Sequence, residues 1–259
     1  MSPPPLLSLL GVTKRFGGVA ALTDVSFDVP EGSVLGVIGP NGAGKTTLLN
    51  CVSGVYGLDE GEIALAGQRI DGRRPHEIAR FGIGRTFQIV KPFASMTVRE
   101  NAAVGAIFGS TSARMRTPAA FRYADEVLEL VGLAPKAALP VANLTVPDRK
   151  RLEVARALCT RPKLLLLDEV MAGLNAVEVG EALEMVRKVH RSGVTIVLIE
   201  HVMQVIVGVC TDAVVLHLGR VLVTGKPQEV LRDRRVIEAY LGQRYAQRHA
   251  QGDGAGSDG

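Results

Sequence analysis

The sequence predicts an α/β protein in which a parallel sheet core carries an antiparallel β subdomain and an inserted α-helical subdomain. Residues 6–29 contain alternating or apolar segments around a Gly-Gly turn, which is typical of paired antiparallel strands. Residues 34–39, 164–168 and 195–200 are continuous apolar runs, as expected for strands that are buried on both faces. Helical periodicity separates these runs, and that alternation indicates a parallel, doubly wound sheet.

The remaining elements follow from the same periodicities. "GEIALAGQRI" (61–70) predicts one more strand of the antiparallel part, closed by Asp71-Gly72. "KTTLLNCVSG" (45–54) and residues 176–192 predict helices of the core, the second because its apolar residues recur at helical spacing.

Residues 97–158 are mostly helical by pattern, with a weakly patterned link at "GSTSARMRTPAAFR" (109–122). We therefore place a helical subdomain at about 89–159, inserted between strands of the core sheet. Residues 243–259 are polar and rich in glycine, so we expect a disordered tail behind a single domain at 1–242.

Composition excludes several functional classes. The 259 residues carry a net charge of +4, 47% are hydrophobic and none is tryptophan. This charge permits an anionic ligand or a membrane surface, but sparse aromatic residues argue against base stacking, and we expect no nucleic-acid partner. No apolar run reaches the ~18 residues that a membrane span needs. The N-terminus lacks the basic start that is typical of a signal peptide. The three cysteines are far apart in the sequence, and we expect them to be reduced thiols in a cytosolic protein.

"GPNGAGKTT" fits the phosphate-loop pattern G-x-x-x-x-G-K-[ST] and lies between a predicted strand and a predicted helix, which is the context this motif requires. Its glycines allow backbone N–H groups to surround a β-phosphate, the lysine reaches the β- and γ-phosphates, and the first threonine coordinates Mg²⁺. The predicted nucleotide-binding residues are Gly39, Pro40, Asn41, Gly42, Ala43, Gly44, Lys45, Thr46 and Thr47.

Polar residues follow two other predicted strands. Asp168 and Glu169 end the run "LLLLDE", at the edge of the sheet where ligands bind. Asp168 is the candidate Mg²⁺ ligand and Glu169 the candidate base for the attacking water. His201 ends "TIVLIEH" and is a candidate contact for the γ-phosphate. Ordinary strand-end acids and a structural histidine are the alternatives.

These motifs, in this order, resemble an ABC-type ATP-binding cassette over about residues 6–242. The resemblance implies a P-loop NTPase (RecA-like) core, ATP and Mg²⁺ as ligands, ATP hydrolysis, and two cassettes that sandwich two nucleotides. It also implies that Phe16 stacks on adenine, although Phe16 could instead be a core residue of its strand. Gln88, in "RTFQ", corresponds to the glutamine that reaches Mg²⁺ and the attacking water.

Three further segments resemble the ATPases of branched-chain (hydrophobic) amino acid importers: "IVKPFASMTVRENAAVGA", "GLNA" and "IEAYLG". This implies an ATPase at the cytoplasmic face of the membrane, two membrane permease subunits, and indirect work with a solute-binding protein. Val90, Phe93 and Met96 could form the patch that docks a permease helix, or could pack the helical subdomain. The alternatives are a soluble ABC ATPase and a regulatory cassette that does not transport.

The segment Leu144–Asp148 departs from the Leu-Ser-Gly-Gly-Gln of that family, which contacts the γ-phosphate of the opposite subunit. Thr145 keeps a hydroxyl, and Thr145, Pro147 and Asp148 form an ordinary helix start. Pro147 removes an N–H donor, and we expect Asp148 to bring a negative charge toward the phosphate. Asn175 also replaces the usual aspartate of its loop. A heterodimer with a partner whose segment is intact is therefore favoured over a homodimer.

Overall fold

The computed structural model describes residues 4–86, 92–109 and 116–241. Its ten strands in this part of the chain are β1 (Leu7–Phe16), β2 (Val19–Val29), β3 (Val34–Ile38), β4 (Glu60–Leu65), β5 (Gln68–Arg69), β6 (Ile83–Arg85), β7 (Leu164–Asp168), β8 (Thr195–Ile199), β9 (Asp212–His217) and β10 (Arg220–Gly225). The α-helices of the same part are α1 (Lys45–Val52), α2 (Pro75–Phe81), α3 (Val98–Phe108), α4 (Thr117–Leu130), α5 (Val146–Cys159), α6 (Ala176–Arg191), α7 (Met203–Val209), α8 (Pro227–Val230) and α9 (Arg234–Leu241).

Four strands form an antiparallel sheet in the order β2-β1-β4-β5, which confirms the antiparallel β subdomain. The single strand predicted over 61–70 is wrong, because β4 and β5 form a hairpin whose turn contains Ala66 (φ +48°) and Gly67 (φ +75°). Two left-handed turn residues suit a tight hairpin. Alanine rarely adopts that conformation, so the sequence gives a weak turn signal there.

Six strands form the core sheet in the order β10-β9-β3-β8-β7-β6. All pairs are parallel except β9 with β10. Alternate residues of β7 face opposite layers: Leu164 and Leu166 pack toward the antiparallel sheet and α1, whereas Leu165 and Leu167 pack toward the helices. This two-sided burial explains the continuous apolar runs and fixes the carboxyl ends of the strands at one edge.

Helices α3, α4 and α5 pack on one another beside the core sheet, which confirms an inserted α-helical subdomain. The irregular link predicted over 109–122 is wrong in its second half, since α4 begins at Thr117 with Pro118 in its first turn, where proline is tolerated. The predicted boundaries of this subdomain and of the tail at 243–259 stay predictions, and the tail lies outside the described residues.

The C-terminal helix α9 returns to the core sheet, where Val236 and Tyr240 pack in a small cluster with Ile38 of β3. The three cysteines are free thiols, as expected. None of the helices that the structure describes is long and apolar enough to cross a membrane.

Candidate nucleotide site

The predicted phosphate loop lies between the end of β3 and the start of α1, at the carboxyl edge of the core sheet. Gly44 caps α1 and, having no side chain, accepts no hydrogen bond from the N–H groups of the first turn. Those donors and the positive end of the helix suit an anion. The loop is fixed from the other side, because the Gly219 N–H donates to the Ala43 carbonyl over 3.1 Å.

The glycines at both ends of the loop are required by the backbone. Gly39 has φ +152° and Gly44 has φ +102°. A Cβ atom on Gly39 would lie 2.1 Å from the Leu216 carbonyl oxygen, and one on Gly44 would lie 2.6 Å from the Ala21 carbonyl oxygen. Only a residue without Cβ lets the chain turn this tightly and present its N–H groups to a ligand.

Lys45 reaches back over the loop that precedes it. Its Nζ atom donates to the carbonyl oxygens of Gly39 (2.6 Å) and Pro40 (3.0 Å), and the side chain is buried. Burial lowers the pKa of the ammonium, whereas the negative charges of Glu169 and Asp168 act in the opposite direction. The lysine is therefore positioned by the loop itself and lies within the field of both predicted acids.

Asp168 ends β7 as predicted and is 4% exposed. Its Oδ2 atom lies 3.2 Å from Nη2 of Arg85, at the end of β6. Arg85 also donates to Asn50 Oδ1 and Ser53 Oγ of α1 and its cap, at 2.7 Å each. Burial raises the pKa of Asp168, and the guanidinium opposes that shift. One buried cation therefore joins β6, β7 and the C-terminal end of α1.

Thr46 and Asp168 both line a cavity of about 740 Å³ that extends between the core sheet and the helical subdomain. A hydroxyl and a carboxylate are the hard oxygen donors that Mg²⁺ prefers, so this pair fits the ion. The described residues contain no group of three or more His, Cys, Asp or Glu side chains placed to hold a metal ion by themselves. A magnesium ion here would therefore complete its shell with nucleotide oxygens and water.

Glu169 begins a tight turn after β7. It has φ +50°, a conformation that costs a residue other than glycine of order 1–3 kcal/mol. Two backbone hydrogen bonds hold it there: its N–H donates to the Ile199 carbonyl at 3.0 Å, and its carbonyl accepts from Ala172 at 3.2 Å. The turn after β7 thus fixes the backbone of Glu169.

His201 follows β8 at the same sheet edge, and its side chain is 55% exposed. The preceding residue, Glu200, is fully buried and accepts from the Met171 N–H at 2.9 Å. The imidazole is therefore free to meet a ligand above the edge, while the glutamate next to it points into the protein.

Phe16 lies at the end of β1 and is 44% exposed, so it is not the core residue of the alternative interpretation. Its ring meets Tyr56 edge-on, with centroids 5.1 Å apart at 75°, and Lys14 Nζ lies 5.4 Å from its centroid. An exposed ring fixed from one side can offer its free surface to a base.

Gln88 and Val90 lie in 87–91, outside the described residues. Of the other two residues of the predicted docking patch, Phe93 is 43% exposed and stacks against Arg156, whose Cζ lies 5.1 Å from the ring centroid. Met96 is partly buried. Phe108, which the sequence did not single out, is 69% exposed at the rim of the cavity.

The structure corrects the expectation for Asp148. The residue is 4% exposed, and its Oδ2 accepts from Thr145 Oγ1 (2.7 Å) and from Lys136 Nζ (2.5 Å). Burial opposes ionisation, but these hydrogen bonds lower the pKa of Asp148 below its ordinary value. Its charge is therefore paired within the helical subdomain, and Thr145 acts as the cap of α5.

Sequence reasoning missed Arg85, Lys150 and Glu200 at this edge. Arg85 ends a short strand whose neighbour is β7, so the rule that placed Asp168 at the carboxyl edge would have found it if β6 had been recognised. The three residues of β6 are too few for a periodicity signal.

Comparison with known proteins assigns the family. A family model described as ABC transporter matches residues 22–172, and one described as branched-chain amino acid ATP-binding cassette transporter matches residues 220–246. The chain is similar to the high-affinity branched-chain amino acid transport ATP-binding proteins LivG of Salmonella typhimurium and BraF of Pseudomonas aeruginosa. Each is 39% identical over 251 residues, which cover 92% of this chain and 98% of the relative.

Solved structures agree with this assignment. An ATP-binding cassette of an ABC transporter in its ADP conformation superposes with a TM-score of 0.85 at 30% identity, covering 93% of this chain and all of that one. A dimeric ATP-binding cassette bound to ADP and Pi, in a post-hydrolysis state, superposes with a TM-score of 0.76 at 25% identity, over 85% of this chain and 98% of that one.

Proposed function

This chain belongs to the ABC transporter family, and from that premise we propose that it is the ATP-binding and ATP-hydrolysing subunit of an importer for branched-chain amino acids or related small polar or amide solutes. The names of the relatives support this cargo class. The observation that carries the proposal is the meeting of Lys45, Asp168 and Glu169 at one edge of the core sheet.

Phosphoryl transfer to water needs positioning and charge compensation rather than a covalent intermediate. Backbone N–H groups of 39–47 hold the β-phosphate, and Lys45 moves from its own loop carbonyls to the phosphates. Thr46 and Asp168, with Gln88 as the family resemblance implies, would hold Mg²⁺, which would neutralise charge on the phosphate oxygens. Glu169 orients or deprotonates the attacking water.

Two more contacts complete the proposed nucleotide site. The exposed ring of Phe16 stacks on adenine, and His201 contacts the γ-phosphate from above the sheet edge. The His201 contact exists only while the γ-phosphate is in place, so its loss on hydrolysis gives the site two states. A ligand can drive a conformational change only through such a difference in contacts.

Two cassettes sandwich two nucleotides in the proposed assembly, and we favour a heterodimer. The start of α5 in this chain is poorly suited to grip a phosphate across the interface, since Pro147 supplies no N–H and Thr145 donates its hydroxyl to Asp148. The partner's intact segment faces Lys45 and Glu169, and the site that faces Thr145–Asp148 turns over slowly. Changing residues 145–148 to Ser, Gly, Gly and Gln should then raise the ATPase rate of the assembled pair. An unchanged rate would contradict the proposal that this site turns over slowly.

We place the docked permease helix in the part of the 740 Å³ cavity that lies between the core sheet and the helical subdomain, and Mg²⁺ in the part lined by Thr46 and Asp168. This cavity is bounded by α2 and β6 on one side and by α3 and α5 on the other, and its rim carries the exposed side chains Val55 and Phe108. A groove of this kind suits an apolar helix face. The chain is thus a peripheral subunit at the cytoplasmic face of the membrane, and it acts on the solute-binding protein only through two permease subunits.

Co-purification and uptake test this proposal. The tagged chain is isolated from its native membrane, and the proteins that accompany it are identified and reconstituted with it in vesicles. Parental complexes should take up radiolabelled leucine only with ATP present on the cassette side, whereas Glu169→Gln complexes should bind ATP without uptake. Uptake that is independent of ATP, or an ATPase without any permease, would favour the alternative of a soluble or regulatory cassette.

A further inference from the structure

The turn that carries Glu169 is held from two sides by charged side chains outside the proposed catalytic set. On one side, Glu200 at the end of β8 accepts from the Met171 N–H. On the other side, Lys150 of α5 donates from Nζ to the Ala172 carbonyl. Together with the bond from the Ala172 N–H to the Glu169 carbonyl, these contacts hold residues 169–172 in one conformation.

Glu200 is a carboxylic acid buried inside the protein. It is fully buried, and its Oε2 atom has no hydrogen-bond partner among the residues that the structure describes. Burying a carboxylate costs free energy, and that burial raises the pKa of Glu200. Nδ1 of His201 lies 4.0 Å from that Oε2 atom.

Lys150 lies in the electrostatic field of this site. Glu200 and Glu169 are the two negative charges that act on its ammonium, and they oppose the effect of burial on the lysine. A cation near two carboxylates is attracted to both, and the attraction is stronger in a partly buried site than in water. Lys150 therefore interacts with the charges of Glu200 and Glu169 while it donates to the Ala172 carbonyl.

These contacts join two layers of the protein. Lys150 lies in the second turn of α5, the helix that starts at the altered segment Thr145–Asp148. Its neighbour Arg151 pairs with Glu181 of α6, so the helix is tied to the core on this face. A shift of α5 relative to the core sheet pulls directly on the turn after Glu169.

We propose that Lys150 and Glu200 are positioning residues for Glu169, and that Lys150 transmits the position of the helical subdomain to the hydrolytic carboxylate of the same chain. This inference rests on the proposed function of Glu169. Neither residue is proposed to contact the nucleotide, because Glu200 binds the Met171 N–H and Lys150 binds the Ala172 carbonyl, not the phosphate loop.

Steady-state ATPase kinetics of the assembled complex that contains this chain test the proposal. Lys150→Met should lower kcat at least about tenfold, since small misplacements of a catalytic group have effects of that order or larger, and it should leave KM for MgATP within about twofold. Lys150→Arg keeps a cation that can reach the Ala172 carbonyl, and should recover most of the rate. Lys188→Met, on the exposed face of α6, is the matched control and should change neither constant.

Two further measurements separate positioning from a general loss of structure. Amide hydrogen exchange should rise at 169–173 in Lys150→Met and stay unchanged in the phosphate loop. Glu200→Gln keeps an acceptor for the Met171 N–H but loses the charge, and the double variant should lose less rate than the product of the two single losses because both act on one turn.

These experiments distinguish failure of the positioning role from failure of the proposed ATPase function. If Lys150→Met has the parental kcat while Glu169→Gln is inactive, the positioning role is overturned and the ATPase assignment stays intact. An active Glu169→Gln would overturn the proposed function itself. If Lys150→Met does not fold, Lys150→Gln decides by the same criteria, since its shorter amide keeps polarity but carries no charge.

Discussion

Removing the guanidinium of Arg85 should destabilise the protein more than removal of any exposed cation. Arg85 and Asp168 are 7% and 3% exposed in their side chains, so Arg85→Met leaves a buried carboxylate without its cation. Breaking a buried pair in this way costs about 3–5 kcal/mol. At about 2–4 °C per kcal/mol for a protein of this size, Tm should fall by roughly 6–20 °C.

The loss of folding free energy in Arg85→Met should also become smaller as pH falls. Burial already raises the pKa of Asp168, and loss of Arg85 raises it further. A carboxyl group whose pKa is raised by folding contributes most stability below its unfolded value, about 3.9, and that contribution is lost as pH rises through the folded value. The penalty of Arg85→Met should therefore shrink as pH falls from 7.5 toward 4.

Urea unfolding of parent and variant at pH 7.5 and pH 5 measures this effect. Arg80→Met, an exposed arginine of α2, is the matched control and should change the free energy of unfolding by less than about 0.5 kcal/mol. A penalty under 1 kcal/mol for Arg85→Met, or a penalty that grows as pH falls, would refute the buried-pair reasoning.

Three other substitutions have predicted outcomes. Lys136→Met should lower the free energy of unfolding by about 1.5–3 kcal/mol at pH 7, the value of a hydrogen bond to a charged group, as measured in urea. Because folding lowers the pKa of Asp148, this loss should disappear as pH falls through the folded pKa. Phe16→Leu should raise KM for ATP by roughly 5–150-fold, equivalent to a stacking energy of ~1–3 kcal/mol, in steady-state assays. Gly39→Ala should abolish nucleotide binding in calorimetry, since its Cβ atom would collide with the Leu216 carbonyl oxygen at 2.1 Å.

Each of these has a matched control. Lys188→Met controls for loss of an exposed lysine, and Phe16→Tyr keeps an aromatic ring. Gly18→Ala adds a methyl group where nothing lies within 4 Å and should bind nucleotide normally. A variant that behaves like its control would contradict the contact assigned to it.

The sequence predicts the core sheet and the phosphate loop well because both are determined locally. Leu164 to Leu167 are apolar on both faces of β7, which only a strand between two layers requires. The glycines of the loop are fixed by close backbone approaches at Gly39 and Gly44. In both cases the residue type follows from its immediate surroundings.

The sequence does not predict contacts between residues far apart in the chain. Lys136 precedes Asp148 by 12 residues, and nothing in the segment 144–148 shows that its carboxylate turns away from solvent. The sequence does not predict the burial of Glu200, because a charged residue after an apolar run usually marks a strand end at the surface. Its burial depends on the turn after β7, which comes from another part of the chain.

Titration calorimetry of the full chain with MgATP tests most directly whether backbone amides of residues 39–47 hold a triphosphate. The parental protein should bind, and Lys45→Ala should lose most of the affinity while its melting temperature stays within a few degrees of the parent. Equal affinities in parent and variant, or no heat of binding in the parent, would contradict the proposed nucleotide site and the transport function that depends on it.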